Sequence, residues 1–127
     1  MTDTLWPDLE RHYVAVLTKP PVRASTDVPE DVETLPGAYR VSVAGGDDDR
    51  ITDSVLVDVE AFHPDRHEAW KLAEDARRAI HANRAAPGIL IDNVDTVTRP
   101  RRMFYGPHVE RYVSTYRVRL RRPRTTN

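Results

Sequence analysis

The stretch "DSVLVDVEAFHPDRHEAWKLAEDARRAIHA", Asp53 to Ala82, decides the fold, because its apolar period changes once along its length. Val55, Val57, Val59 and Ala61 fall on one side, with Asp58 and Glu60 on the other, the period of two of a half-buried strand. Beyond Pro64 the spacing lengthens. Ala69, Leu72, Ala73, Ala76 and Ile80 recur at helical intervals and form one apolar stripe. Asp65 with Glu68 three residues later is a capping-box-like start, and Pro87 and Gly88 supply a stop. The stripe is rich in alanine, so this helix can lie close on a sheet.

Upstream, Tyr39, Val41 and Val43 alternate with Arg40, Ser42 and Ala44, a second half-buried strand that Gly45 and Gly46 break. The two strands form a β-hairpin whose long tip runs from Gly45 to Asp53. An N-terminal helix is predicted from Asp8 to Lys19. Pro7 suits a first turn, Asp8 and Glu10 suit the positive helix end, and Leu9, Tyr13, Val16 and Leu17 share a face. Pro20 and Pro21 end it. "PPVRASTDVPEDVETLPG", Pro20 to Gly37, has no clear period and reads as a long surface connection with an extended piece in it.

Downstream, "ILIDNVDTVTRP" reads as a third strand of irregular alternation, "RRMFYGPH" as a turn-bearing segment, and Val109 to Arg122 as a long fourth strand. Tyr112, Ser114, Tyr116, Val118 and Leu120 share one face of that strand. Val113, Thr115, Arg117, Arg119 and Arg121 share the other, and "PRTTN" is a frayed tail. The expected order is α-β-β-α-β-β. This is an α+β domain over residues 1–127, with a mainly antiparallel sheet of about four strands and two helices packed on one face. Its other face carries arginines and acids and can meet a partner subunit.

The totals narrow the function. With 127 residues the chain suits one domain, and 39% apolar with 31% charged residues is a folded composition. There is no cysteine, which excludes disulfides, thiolate metal sites and a cysteine nucleophile. No apolar run nears the ~20 residues of a membrane helix, and the acidic N-terminus lacks a signal-peptide h-region. A soluble, intracellular protein without a membrane partner is expected. The net charge of −1 conceals a gradient: residues 1–60 carry 5 basic and 13 acidic side chains, and residues 96–127 carry 9 and 1. Such asymmetry means either a basic region for nucleic acid or an acidic patch meeting a basic patch on a neighbouring copy.

Three groups of residues are candidate sites. Asp47, Asp48 and Asp49, with Arg50 beside them and Asp53 beyond, offer oxygen ligands for a hard cation. They lack the alternate spacing of an EF-hand, and successive side chains on extended chain point opposite ways. A solvated hairpin tip or partner-contact loop is the expected reading, with a metal site as the alternative. His63 and His67 have a zinc-compatible spacing, but Pro64 and Asp65 intervene and no third ligand stands nearby. The arginines Arg101, Arg102, Arg117, Arg119 and Arg121, with Phe104 and Tyr105, could hold nucleic acid by phosphate contact and stacking. Against that, the aromatic Tyr112 and Tyr116 lie on the opposite strand face, and the sequence pI is about 6.5. Complementarity to an acidic neighbour is the competing reading. No nucleophile elbow surrounds Ser25, Ser42, Ser54 or Ser114, and no glycine loop cradles phosphate. No catalytic residue, cofactor or metal is expected. Trp6 and Trp70 read as core or interface anchors.

"GGDDDRITDSVLVDVEAFHPDRHEAWKLAEDARRAIH", the aromatic "MFYGPHVERY" and the closing "STYRVRLR" resemble the small tail terminator (tail completion) proteins of long-tailed phages infecting actinobacteria. The resemblance spans Tyr39 to Leu120 and is one of pattern, clearest in "DRITD", the helix and "YRVRL". It implies a structural virion protein, not an enzyme, that forms a homo-oligomeric, usually hexameric, ring on the end of the tail tube. Such a ring stops tube polymerisation and offers a surface to the head's connector or head-completion proteins. The implied partners are therefore the tail tube protein and a connector protein, with no sequence-specific nucleic acid, although DNA passes through a ring lumen. The implied location is the virion neck, with assembly in the host cytoplasm. By the same resemblance, the Gly45–Asp53 loop, the Pro20–Gly37 loop and "RRMFYGPH" are contact regions. Alternatives are another neck component, such as a head-completion or connector protein, and a small metal- or nucleic-acid-binding module.

Overall fold

A computed structural model describes residues 5–44, 52–86 and 89–121. The elements are α1 (Leu5–Leu17), β1 (Arg23–Ser25), β2 (Ala38–Ala44), β3 (Thr52–His63), α2 (Arg66–Ala82), β4 (Ala85–Ala86), β5 (Ile89–Arg102) and β6 (Glu110–Arg121). A short 3-10 turn, Val32–Thr34, lies between β1 and β2. The strands form one mixed sheet in the order β1-β2-β3-β6-β5-β4. Only the β1–β2 pair is parallel among the described strands. The fold is α+β.

The sheet is larger than the sequence predicts, with six strands instead of about four. The additions are the shortest elements. β1 is the extended piece inside the proline-rich connection, and three residues hold too few alternations to read as a period. β4 has two residues, which pair with Ile89 and Leu90. The four long strands are the predicted ones, and β3 pairs with β6 along twelve residues, from Thr52↔Arg121 to His63↔Glu110.

Both helices pack on one face of this sheet. Leu9, Tyr13 and Leu17 of α1 and Ala69, Ala73, Ala76 and Ile80 of α2 bury against Val41, Val55, Val57, Val59, Tyr116 and Val118. Each fully buried valine or leucine contributes roughly 1.5–3 kcal/mol through apolar burial. Three alanines allow α2 to approach the strands closely. Two polar groups inside this layer are satisfied. The Tyr39 hydroxyl donates to the Leu72 carbonyl at 2.6 Å, and the Tyr116 hydroxyl donates to Ser114 Oγ at 2.9 Å. Burial pushes both phenols above their ordinary pKa, so they remain neutral donors.

The helix boundaries have local causes. Asp65 is extended (φ −95°, ψ 131°) and its carboxylate accepts from the Glu68 N–H at 3.0 Å, the N-cap that the sequence predicts. The far end comes earlier than Pro87. Asn83 donates both its backbone N–H (3.0 Å) and its Nδ2 (2.8 Å) to the Ala79 carbonyl, which closes α2 at Ala82. α1 ends at Leu17, where the Thr18 hydroxyl donates back to the Val14 carbonyl at 2.7 Å. Gly37, which leads the connection into β2, has φ +131°, and a Cβ there would stand 2.9 Å from Leu72 Cδ1. Only glycine suits that approach.

The irregular alternation of β5 has a structural counterpart. Its pairing with β6 shifts register between Ile91 and Asn93, Thr96 and Thr98, and Thr98 and Arg101. The first of these lets Ile91 and Val94, three residues apart, both reach the core. Among the described residues no helix is long and apolar enough to cross a membrane.

Candidate functional site

The face of the sheet away from the helices is the candidate site. The register of β2, β3, β6 and β5 arranges its side chains in rows across the strands. One row joins Arg40, Glu60, Val113 and Arg101, the next Ser42, Asp58, Thr115 and Thr98. Beyond them come Ala44, Leu56, Arg117 and Asp95, then Ser54, Arg119 and Asn93.

One end of this face is closed. Phe62 belongs to it by alternation, yet is only 1% exposed, because Val32, Ala38 and Val109 pack around it with Val28 and Leu35. The 3-10 turn of the Pro20–Gly37 connection therefore lies on this face. Tyr105 adds an edge-on contact to Phe62, with ring centroids 5.0 Å apart. Next to this cluster sits Glu60, 8% exposed. Its two carboxylate oxygens accept from Arg40 and Arg111, each at 2.9 Å. A carboxylate this buried is stable there only with such charge-assisted partners. The bond to Glu60 also raises the Arg40 guanidinium above its ordinary pKa.

Arg111 connects that ion cluster to the β5–β6 turn. Its second terminal nitrogen donates to the Phe104 carbonyl at 3.0 Å, and its guanidinium lies over the Tyr105 ring, 5.2 Å from the centroid. The Met103 N–H donates to the Arg111 carbonyl at 2.9 Å, and Arg102 Nε donates to Glu110 at 2.6 Å. The turn is thus fastened to the sheet at four points while Phe104 projects from it, 81% exposed. An exposed aromatic on a braced turn loses little conformational entropy when it is covered.

The other end of the face is open. Arg117 and Arg119 of β6 are exposed there, as are Arg99 and Arg101 of β5 nearer the closed end, and none of the four has an ion pair or hydrogen-bond partner among the described residues. Asp95 stands opposite Arg117 in register, but its carboxylate accepts from Asn93 Nδ2 at 3.1 Å. Asp58 accepts from the Thr115 hydroxyl at 2.6 Å.

The sequence-predicted residues therefore divide. Phe104, Tyr105, Arg101 and Arg102 share the turn region, and Arg117 and Arg119 form the open stripe at the other end. Arg102 is taken up by Glu110 instead of being free. Asp47, Asp48, Asp49 and Arg50 lie outside the described residues, as does the side chain of Arg121. His63 Nδ1 accepts from the Asp65 N–H at 2.9 Å, whereas the His67 ring stacks on Trp70 at 5.9 Å, so the two histidines serve separate local contacts. Trp70 is exposed, not a core anchor. Among the described residues no group of three or more His, Asp or Glu side chains converges as a metal site. Sequence reasoning missed the Arg40–Glu60–Arg111 cluster. Its only signal is that all three residues occupy polar positions of strands, and their meeting requires the β2–β3–β6 register.

No protein-family model matches this chain, and no curated protein sequence matches it.

Proposed function

We propose that this chain is a structural subunit that works by contact: a ring-forming tail terminator that caps a phage tail tube, ends its polymerisation and presents the head-joining surface. The observation that carries the reading is the open sheet face, which combines a braced, projecting Phe104 with exposed arginines that have no partner among the described residues. Evolved contact surfaces concentrate aromatic and arginine anchors of this kind. Of the segments that resemble tail terminators, the Asp65-capped helix and "YRVRL" belong to α2 and β6, and the last two residues of "DRITD" open β3; its first three lie outside the described residues. In this reading the chain performs no chemistry, and it acts in the virion neck after assembly in the host cytoplasm.

The test is direct. Purified protein added to growing tail tubes should halt elongation and appear by electron microscopy as a ring at one tube end. Tubes that lengthen at the same rate and carry no added density would refute the reading.

A further inference from the structure

The arginine stripe has a counterpart within the same molecule. The segment from Asp27 to Glu33 carries Asp27, Glu30, Asp31 and Glu33, all exposed, with no cation among them. None of the four carboxylates has an ion-pair or hydrogen-bond partner among the described residues. Asp31 begins the 3-10 turn without capping it through its side chain. Arg40, whose charge reaches Asp27, and Arg111 are both held by Glu60. Val32 pins the segment onto the sheet by burial with Phe62 and Val109, so these acids rim the closed end of the open face in a fixed place.

Arg117 and Arg119 hold the opposite end. Arg119 lies eight residues along β6 from Arg111, which at about 3.3 Å per residue is roughly 26 Å. Charges that far apart are screened from each other within one molecule at physiological salt, so neither patch neutralises the other internally. Both are free to act outward.

We infer that the acidic rim at 27–33 of one copy docks on the Arg117–Arg119 stripe of a second copy of this chain. A polyanion such as DNA would explain the arginines alone and would be repelled by the rim. A second copy explains both patches with one contact, and complementary charge sets its orientation and association rate. Leu56 and Val113, half-buried between the two patches, lose their remaining water in the same contact. The inference shares with the ring reading the premise that copies of this chain meet, but it depends on neither hexamers nor tail tubes.

The experiment uses two charge-reversed full chains, R117E/R119E and D27K/E30K/D31K/E33K, with circular dichroism to confirm that each stays folded. Sedimentation equilibrium should show self-association of the natural chain that weakens with added salt, and each reversed chain alone should associate at least about tenfold more weakly. An equimolar mixture of the two should regain the natural affinity, because one then carries two acidic patches and the other two basic ones. Equal association by all three proteins, or no recovery on mixing, overturns the inference. So does an R117E/R119E chain that associates normally but no longer binds a DNA duplex that the natural chain binds, which assigns the stripe to a polyanion. Recovery on mixing that stops at pairs keeps this contact and refutes the ring instead. Rings that ignore both reversals refute this contact and keep the ring.

Discussion

The two faces of one sheet differ most sharply along β3 and β6. On the helix side, Val55, Val57, Val59, Tyr116 and Val118 are buried, and the polar atoms of Tyr39, Tyr116 and Ser114 are paired within the layer. On the other side of the same strands, Ser54, Leu56, Asp58, Val113 and Thr115 are half-buried, and Arg117 and Arg119 are exposed. The covered face explains why the chain folds. The open face contributes little to folding except at its closed end, where Glu60 and Phe62 are as buried as the core. Residues that leave stability untouched yet are held in fixed positions are the ones available for contact.

This contrast breaks most visibly on the covered side. Ile80→Ala removes a fully buried side chain between α2 and the sheet and should destabilise the protein by about 2–5 kcal/mol, read from urea unfolding. A loss under ~1 kcal/mol would mean that α2 is not part of the cooperative core.

The next effect belongs to the closed end of the open face. Glu60→Gln keeps the shape but leaves two guanidinium groups without their carboxylate. It should cost about 1–3 kcal/mol, moderated because Arg40 is partly solvated. Since Arg111 also holds the Phe104 carbonyl, this variant should speed amide exchange in the β5–β6 turn more than in α2.

A smaller effect comes from the covered side and depends on pH. His81 bonds Thr96 Oγ1 at 2.7 Å and meets the Tyr116 ring edge-on, joining α2 to β5 and β6. Burial, then Arg77 and Arg84, lowers its pKa below the ordinary 6.5, so the fold favours the neutral ring. Its stabilising contribution is complete above about pH 6.5 and is lost as pH falls through the lower folded value. Melting temperature should therefore drop on acidification below about pH 6.5, and His81→Gln should flatten that part of the profile. A profile unchanged by the substitution would place the pH dependence elsewhere.

The smallest effect on stability is expected at the most exposed aromatic. Phe104→Ala should change unfolding free energy by less than about 0.5 kcal/mol while weakening self-association or capping. If it melts several degrees lower, Phe104 is a structural residue and the two faces are less distinct than their burial indicates.

Much of this architecture follows from local pattern alone. The switch of period after Pro64, the Asp65 cap and the alternation of Tyr112 to Leu120 determine α2, β3, β6 and the faces they bury. These signals repeat over several residues within one element, and backbone geometry translates them directly into position. Tertiary structure decided what depends on distant partners. It placed β6 between β3 and β5, recruited β1 from a segment too short to show a period, and brought Arg40 and Arg111 to Glu60, from 20 and 51 residues away. It also buried Phe62 on a face that alternation assigns to solvent, and set the acids of 27–33 at the opposite end from Arg117 and Arg119. Sequence periodicity specifies which side of a strand a residue takes. Which strand lies beside it, and in what register, is settled only when the whole core closes.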